Sequence, residues 1–227
     1  MKIILLTHAD FEGPGVLSNL AAPHQLDIFK SYHGEELPSI DDYDLLIVMG
    51  GPQSASSEYE KYPYLAAEVE LIKSAIEQNK KILGICLGAQ LISRAFDIPA
   101  VSSPYKEIGY FPIHMMPVAK SDPIFYDFDS SIPAFHWHGD MPGYSDDFAI
   151  LASSPGCPRQ IIRFSKFVYG LQCHFEITSD GVMDLLTHCA GDLKPGKFVQ
   201  SADKIKPEDP KEVNEIMGII FRRLLEL

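Results

Sequence analysis

The sequence lacks long hydrophobic runs, an excess of basic charge and a recognisable leader segment. Its longest apolar stretches, residues 3–6 and 45–49, are strand-sized and far shorter than the roughly 20 residues of a membrane-spanning helix. The chain has 19 basic and 31 acidic residues, giving a formal net charge of −12, which disfavours nucleic acid and anionic membrane surfaces as partners. No cleavable signal pattern follows Met1, so we expect a cytoplasmic protein.

The four cysteines also lack the spacings that would link them. Cys86, Cys157, Cys173 and Cys189 form no C-x-x-C pair and no regular metal-ligand pattern, so we expect individual thiols and no metal site. Most cysteines of this kind are small buried hydrophobes. A reactive one needs a special local setting.

The pattern of apolar segments predicts one α/β domain over residues 1–227. Strand-like runs at residues 2–6, 25–29, 45–49 and 81–85 alternate with helical segments, which is typical of a parallel sheet with helices on both faces. Between residues 98 and 172, short β-like segments separated by Pro, Gly and Asp turns predict an added antiparallel region. Two amphipathic helices, after residues 178–180 and after Pro210, close the chain. The predicted class is therefore an open, mostly parallel, flavodoxin-like sheet.

Cys86 lies where a buried strand runs directly into a helix, with Gly84 and Gly88 two residues away on each side. This is the arrangement of a nucleophile elbow, in which a sharp turn exposes the side chain at the carboxyl end of the sheet. The helix N-terminus favours a thiolate, and the N–H groups near Leu87 and Gly88 are suited to receive an oxyanion. The alternative interpretation is a buried structural cysteine between two packing glycines.

A thiol nucleophile needs a base, and the base needs an orienting group. His174 ends an apolar run and has Glu176 two residues on, on the same side of an extended chain. A second cluster, residues 136–140 (His-Trp-His-Gly-Asp), offers another base or a weakly indicated metal site. Spacing does not choose between the two histidine groups.

Several motifs, in order along the chain, resemble those of the class I, or triad, glutamine amidotransferases, particularly the glutaminase domain of GMP synthase and its stand-alone relatives. Residues 84–90 (Gly-Ile-Cys-Leu-Gly-Ala-Gln) are similar to the nucleophile motif, and residues 172–176 (Gln-Cys-His-Phe-Glu) to Q-x-H-P-E. Residues 49–52 resemble the glycine-rich strand end of the oxyanion hole. Residues 106–109 and 137–140 occur where stand-alone members carry comparable segments.

The resemblance implies specific roles for the matching residues. Cys86 is the nucleophile, His174 the base and Glu176 its orienting group, while Gly51 and Leu87 supply the oxyanion-hole N–H groups. The implied glutamine pocket consists of Gly50, Gln90, Trp137, His138, Gly139 and Asp140. Phe175 stands where the family usually has proline, and no metal or organic cofactor is implied.

The implied reaction is hydrolysis of the glutamine side-chain amide through a γ-glutamyl thioester. The chain has no G-x-x-x-x-G-K-[ST] phosphate loop and no room for a synthetase domain. Either a separate synthetase subunit receives the ammonia, which we expect, or the chain acts alone. Two alternatives remain at this point. One is a γ-glutamyl peptidase or hydrolase acting on conjugates such as glutathione, and the other is a non-enzymatic binding or regulatory protein on the same fold.

Overall fold

A computed structural model describes residues 1–56, 59–205 and 210–227, and in these ranges ten strands form one mixed sheet. The order across the sheet is β10-β5-β7-β8-β9-β4-β3-β1-β2, with β6 paired to β5. The strands are β1 (Lys2–Leu6), β2 (Gln25–Phe29), β3 (Leu45–Val48), β4 (Lys81–Ile85), β5 (Val101–Met115), β6 (Ser131–Met141), β7 (Ala149–Ser153), β8 (Ile161–Ser165), β9 (Val168–Leu171) and β10 (Phe198–Val199). The helices are α1 (Leu17–Leu20), α2 (Pro63–Glu77), α3 (Leu87–Ala95), α4 (Ser179–His188) and α5 (Lys211–Glu226).

The centre of the sheet is parallel, as the alternation of apolar runs predicted. β2, β1, β3, β4 and β9 pair in parallel, in that spatial order. All four residues of β3 and all four of β9 are buried. Strands that helices cover on both faces have continuous apolar sequences, because the side chains on both faces are buried. The carboxyl ends of β3, β4 and β9 therefore meet at one edge of the sheet.

Helices cover both faces of this parallel centre. On one face, α2 and α3 contribute Leu65, Val69 and Leu91 to a core with alternate residues of β1, β3 and β4. On the other face, α1 and α5 contribute Leu17 and Ile220, among others, to a second core. A third cluster lies under α4 and covers part of the β5–β6 ladder. The predicted fold class is confirmed.

The antiparallel region is larger than the sequence predicted. β5 begins at Val101 and pairs along most of its length with β6, a strand that the short-segment pattern did not predict. β6 contains two interruptions, Pro133 and Gly139, and two buried histidines, so its apolar alternation is weak. The sequence pattern predicts that the segment containing β9 is antiparallel, and this is only partly correct, since β9 is parallel to β4 and antiparallel to β8.

Two glycines allow α3 to approach the sheet closely. A Cβ on Gly88 would overlap the carbonyl oxygen of Val48, and a Cβ on Gly84 would lie 2.6 Å from the backbone of Gly88. The amide of Gly88 instead donates to the carbonyl of Met49 at 3.1 Å. The first turn of α3 is thus joined to the end of β3. Across the described residues, no helix has the length and apolar character needed to cross a membrane.

Gly88→Ala is expected to lower the free energy of unfolding by about 1–3 kcal/mol, the usual cost of overpacking. The added methyl group must push α3 away from Val48. Urea unfolding followed by circular dichroism measures the change. Gly191→Ala is the matched control, since a Cβ there meets nothing within 4 Å and should change stability by less than about 0.5 kcal/mol. Equal effects in the two variants would contradict the packing argument.

Candidate active site

Cys86 is the residue at which β4 turns into α3. Its φ is 50°, a left-handed conformation that non-glycine residues adopt only where the surroundings impose it. The residue is the N-cap of α3, and its amide donates to the carbonyl of Leu171 at 2.7 Å. This is the strained strand-to-helix turn that the G-x-C-x-G pattern predicted.

The sulfur of Cys86 lies among polar groups from β6 and the end of β9. The side-chain amide of Gln172 donates to Sγ at 3.4 Å, and the carbonyl of Trp137 lies 3.9 Å from Sγ. Gln90 in turn donates to Oε1 of Gln172 at 3.1 Å. The side chains of Gln90 and Gln172 thus form a chain of hydrogen bonds that ends at Sγ of Cys86.

His174 follows β9 and lies between Cys86 and Glu176. Its Nδ1 is 2.7 Å from Oε1 of Glu176, and its Nε2 is buried without a hydrogen bond to any described protein atom. Burial opposes protonation of the ring, yet its pKa is raised well above the usual range because Glu176 and Cys86 lie beside it. One nitrogen is therefore fixed by a carboxylate while the other remains available for proton exchange.

The backbone around Glu176 is anchored from three sides. The amide of His174 donates to Phe135 of β6 at 2.8 Å, and Val16 donates to the carbonyl of Glu176 at 2.9 Å. The side-chain amide of Asn214 on α5 donates to the carbonyls of both Phe175 and Ile177 at 2.9 Å. Phe175, in the usual proline position, is fully buried. These bonds fix the segment without a proline ring.

A cavity of about 380 Å³ opens beside Cys86, within the usual size range of small-molecule sites. The predicted residues on its wall are Gly51, Cys86, Leu87, Gln90, Trp137, His138, Gly139 and Asp140. His174, Glu176 and Gly50 do not line it. The carbonyl of Gly50 points away to the buried His8, 3.0 Å from Nδ1.

The cavity wall carries both signs of charge. Lys106 donates to Asp192 at 2.7 Å, and Asp192 also accepts from the indole of Trp137 at 3.3 Å. Asp140 accepts from two serines, each at 2.6 Å. Glu12 lies close to His174 and Glu176. Burial raises the pKa of its carboxyl group, His174 opposes the shift, and Glu176 adds to it.

The second histidine cluster is held in a separate buried network. Nε2 of His138 is 3.2 Å from Glu107 and its Nδ1 is 3.2 Å from the carbonyl of Asp140. Nε2 of His136 is 3.1 Å from the carbonyl of Phe111, and burial, with His138 adding to it, lowers the pKa of His136 to about 3. Neither ring has the arrangement of His174, in which one nitrogen meets a carboxylate and the other is unengaged.

Glu107, His138 and Cys157 place ligand atoms within 4.8 Å of one another, and these are side-chain types that bind zinc. Glu107 already accepts from Ser154 at 2.7 Å and from Gln160 at 2.6 Å. The amide nitrogen of Gln160 also lies 3.4 Å from Nε2 of His138. Glu107 and His138 are therefore already engaged in hydrogen bonds. His138 lies on the cavity wall, whereas Glu107 and Cys157 do not line the cavity.

Sequence reasoning did not assign roles to several residues at the site. The motif alone assigns no role to Gln172, although Gln172, His174 and Glu176 have the i, i+2, i+4 spacing of one strand face. That spacing was a usable signal. Glu12 and Asn214 come from a loop and from a distant helix, and their approach to the site depends on tertiary packing alone.

Comparisons with known proteins agree with this fold, a mixed α/β sheet with helices on both faces. The family model for class I glutamine amidotransferases matches residues 20–185. Over 223 residues the chain is 38% identical to the glutamine amidotransferase-like protein YfeJ of Salmonella typhimurium, covering 95% of this chain and 93% of the relative. The chain belongs to the class I glutamine amidotransferase family.

Two further similarities agree with this assignment. The crystal structure of SMU.1228c has a TM-score of 0.92 and 40% sequence identity, and the match covers 99% of this chain and 100% of that one. One subunit of the glutamine-hydrolysing GMP synthase of Thermoplasma acidophilum is 29% identical over 140 residues, 61% of this chain and 66% of the relative.

Alkylation at neutral pH is expected to modify Cys86 first. Cys157 is fully buried and burial raises its pKa to about 11. Burial also raises the pKa of Cys189 to about 11 and that of Cys173 well above its usual range. A thiol with a pKa near 11 is only about one part in 10⁴ thiolate at pH 7. Iodoacetamide labelling followed by peptide mass spectrometry measures the order of modification.

Cys86→Ala is the control for this experiment and should take up almost no label during the time that saturates the unmodified protein. Faster labelling of Cys157 or Cys189 in the native protein would contradict the assignment of Cys86 as the reactive thiol.

Proposed function

We propose that the protein hydrolyses the side-chain amide of glutamine, with Cys86, His174 and Glu176 as its catalytic triad. The observation that carries the proposal is the pairing of His174. Its Nδ1 is held by Glu176 at 2.7 Å. Its Nε2 has no hydrogen-bond partner among the described residues, and the neighbouring Cys86 helps to raise the pKa of the ring. A cysteine on an elbow, a histidine and an orienting carboxylate together form the arrangement needed for acyl transfer.

In the proposed reaction, the Cys86 thiolate attacks the δ-carbonyl carbon of glutamine and a C–S bond forms. The N–H groups of Gly51 and Leu87 stabilise the oxyanion. The C–N bond then breaks while the imidazolium of His174 gives its proton to the departing ammonia. Water, deprotonated by His174, attacks the γ-glutamyl thioester, and glutamate leaves as Cys86 is regenerated.

The cavity wall supports an amino-acid substrate. Glutamine carries an α-ammonium and an α-carboxylate, and the wall offers the carboxylates of Asp140 and Glu12 as well as the ammonium of Lys106. We propose that Gln90 and the segment from Trp137 to Asp140 contact the amino-acid end of the substrate. Gly50 does not line the cavity, and we propose that it contributes to substrate binding through its backbone.

The proposed ammonia acceptor is a separate synthetase subunit, and residues 1–227 act as one glutaminase domain. A relative is itself named as one subunit of a glutamine-hydrolysing GMP synthase, which supports a two-subunit arrangement. We place the reaction in the cytoplasm, since all four cysteines are free thiols and free thiols are typical of a reducing compartment.

Purified protein is expected to release ammonia from glutamine, and Cys86→Ala is expected to release none, because the thioester cannot form. Coupled detection of ammonia and glutamate measures the reaction, with glutathione and other γ-glutamyl conjugates assayed in parallel. Release of an amino acid or dipeptide from a conjugate, without ammonia from glutamine, would identify a γ-glutamyl hydrolase instead. Turnover of none of them, even with candidate synthetases added, would favour a binding protein.

Glu176→Gln is expected to lower kcat by about 10²–10⁴-fold and to change its pH dependence. Glu176 helps to raise the pKa of His174, so removing its charge lowers that pKa. The imidazolium that protonates ammonia is lost as pH rises through the pKa of His174, and the alkaline limb therefore moves to lower pH. A kcat–pH profile of both proteins measures the shift. An alkaline limb at unchanged pH would exclude this role for Glu176.

A further inference from the structure

A second histidine–carboxylate pair lies outside the cavity, buried between β1 and α2. His8 follows β1, and Nε2 of its ring is 2.7 Å from Oε2 of Glu68 on α2. Both side chains have no exposed surface. The hydroxyl of Ser31, after β2, donates to the other carboxylate oxygen of Glu68.

Stability alone does not explain this pair. Glu68 lies on the apolar face of α2, with Leu65 and Ile72 in the same core. Replacing a buried ion pair by well-packed hydrocarbon is often neutral or stabilising. The contact made by the other nitrogen of the His8 ring offers an explanation for the buried pair.

The other nitrogen of the His8 ring contacts the strand end beside Cys86. Nδ1 lies 3.0 Å from the carbonyl oxygen of Gly50, and since a carbonyl oxygen only accepts, Nδ1 carries the proton. Glu68 fixes the ring orientation that directs this proton to Gly50. Burial opposes protonation of His8, but Glu68 and the carbonyl of Gly50 raise its pKa overall. A second hydrogen bond joins the same two segments, since the side-chain amide of Gln53 donates to the backbone carbonyl of His8 at 2.9 Å.

The carbonyl of Gly50 and the N–H of Gly51 belong to one peptide unit. In a trans peptide these two groups point in opposite directions, and the described residues contain no cis peptide. His8 lies behind the strand end, whereas Gly51 lines the cavity with Cys86 and Leu87. Holding the carbonyl toward His8 therefore directs the N–H of Gly51 to the cavity side. Two consecutive glycines leave such a peptide free to rotate unless it is held.

We propose that His8, oriented by Glu68, is a positioning residue that holds the Gly50–Gly51 peptide with the Gly51 N–H directed at the oxyanion formed on the Cys86 adduct. This inference rests on the proposed amide hydrolysis. It assigns the His8–Glu68 pair to stabilisation of the oxyanion, while His174, oriented by Glu176, transfers protons.

The test is the double variant His8→Leu/Glu68→Leu, which removes the pair without leaving one buried charge unpaired. Loss of an oxyanion-hole donor lowers kcat by about 10²–10³-fold, and this loss is expected for hydrolysis of the active γ-glutamyl substrate. KM should change little. The rate of Cys86 alkylation by iodoacetamide should also remain near that of the unmodified protein, because alkylation forms no oxyanion.

Single variants separate positioning from packing. Glu68→Gln keeps a hydrogen-bond partner for Nε2 of His8 and leaves Nδ1 of His8 protonated, so its kcat should stay close to that of the unmodified protein. Glu68→Leu removes that partner, and its kcat should be much lower. If the double variant does not fold, this pair of single variants carries the test. Turnover and alkylation falling together, or a folded double variant with unchanged kcat, would overturn the proposal.

Crystal structures of the native protein and the double variant test the positioning without any assay. We expect the Gly50 carbonyl to face His8 in the native protein and the peptide to rotate or become disordered in the variant. The same peptide orientation in both would exclude the positioning role. If the native protein hydrolyses no γ-glutamyl compound, the proposed function fails, and this structural comparison still decides whether His8 holds the peptide.

Discussion

The hydrogen bond from the amide of Gly88 to the carbonyl of Met49, at 3.1 Å, joins the first turn of α3 to the end of β3. It forms only because Gly88 has no side chain to meet Val48. Through this contact, the elbow at Cys86 and the glycine-rich end of β3 lie on one wall of the same cavity. If the two elements moved apart by the width of a methyl group, Gly51 and Cys86 would no longer line the cavity at their present separation.

Among the described residues near this junction, three buried histidines lie within 3.2 Å of a carboxylate oxygen, and the engagement of their ring nitrogens distinguishes them. His8 uses both nitrogens, one on Glu68 and one on a backbone carbonyl, which suits a fixed structural donor. His138 is engaged in the same way by Glu107 and the carbonyl of Asp140. His174 keeps Nε2 unengaged among the described residues. Proton transfer requires a nitrogen that can change partners, and this requirement favours His174 as the base.

The sequence predicted the parallel centre of the sheet and the elbow because both depend on local patterns. A strand buried on both faces is a continuous apolar run, and the residues that let α3 pack closely are glycines at fixed spacing around Cys86. Choosing between the two histidine groups is a different problem. His174 and His138 are both far from Cys86 along the chain, and only the parallel pairing of β9 with β4 brings His174 to the carboxyl edge beside the thiol. β6 is not predicted from the sequence because its apolar alternation is interrupted by proline, glycine and two buried histidines that both lie beside the side-chain amide of Gln160.

At Phe175, long-range hydrogen bonds replace the local constraint that a proline ring would impose. A proline between the histidine and the glutamate would fix φ by its ring. Here the same stretch is held by bonds from β6, from the loop before α1 and from Asn214 on α5. Asn214 lies on the helix that buries Val213, Met217 and neighbouring residues against the sheet. The orientation of Glu176 therefore depends on how α5 packs. Apolar substitutions in α5 would reach the His174–Glu176 pair through the backbone carbonyls of Phe175 and Ile177, without contacting either side chain of the pair.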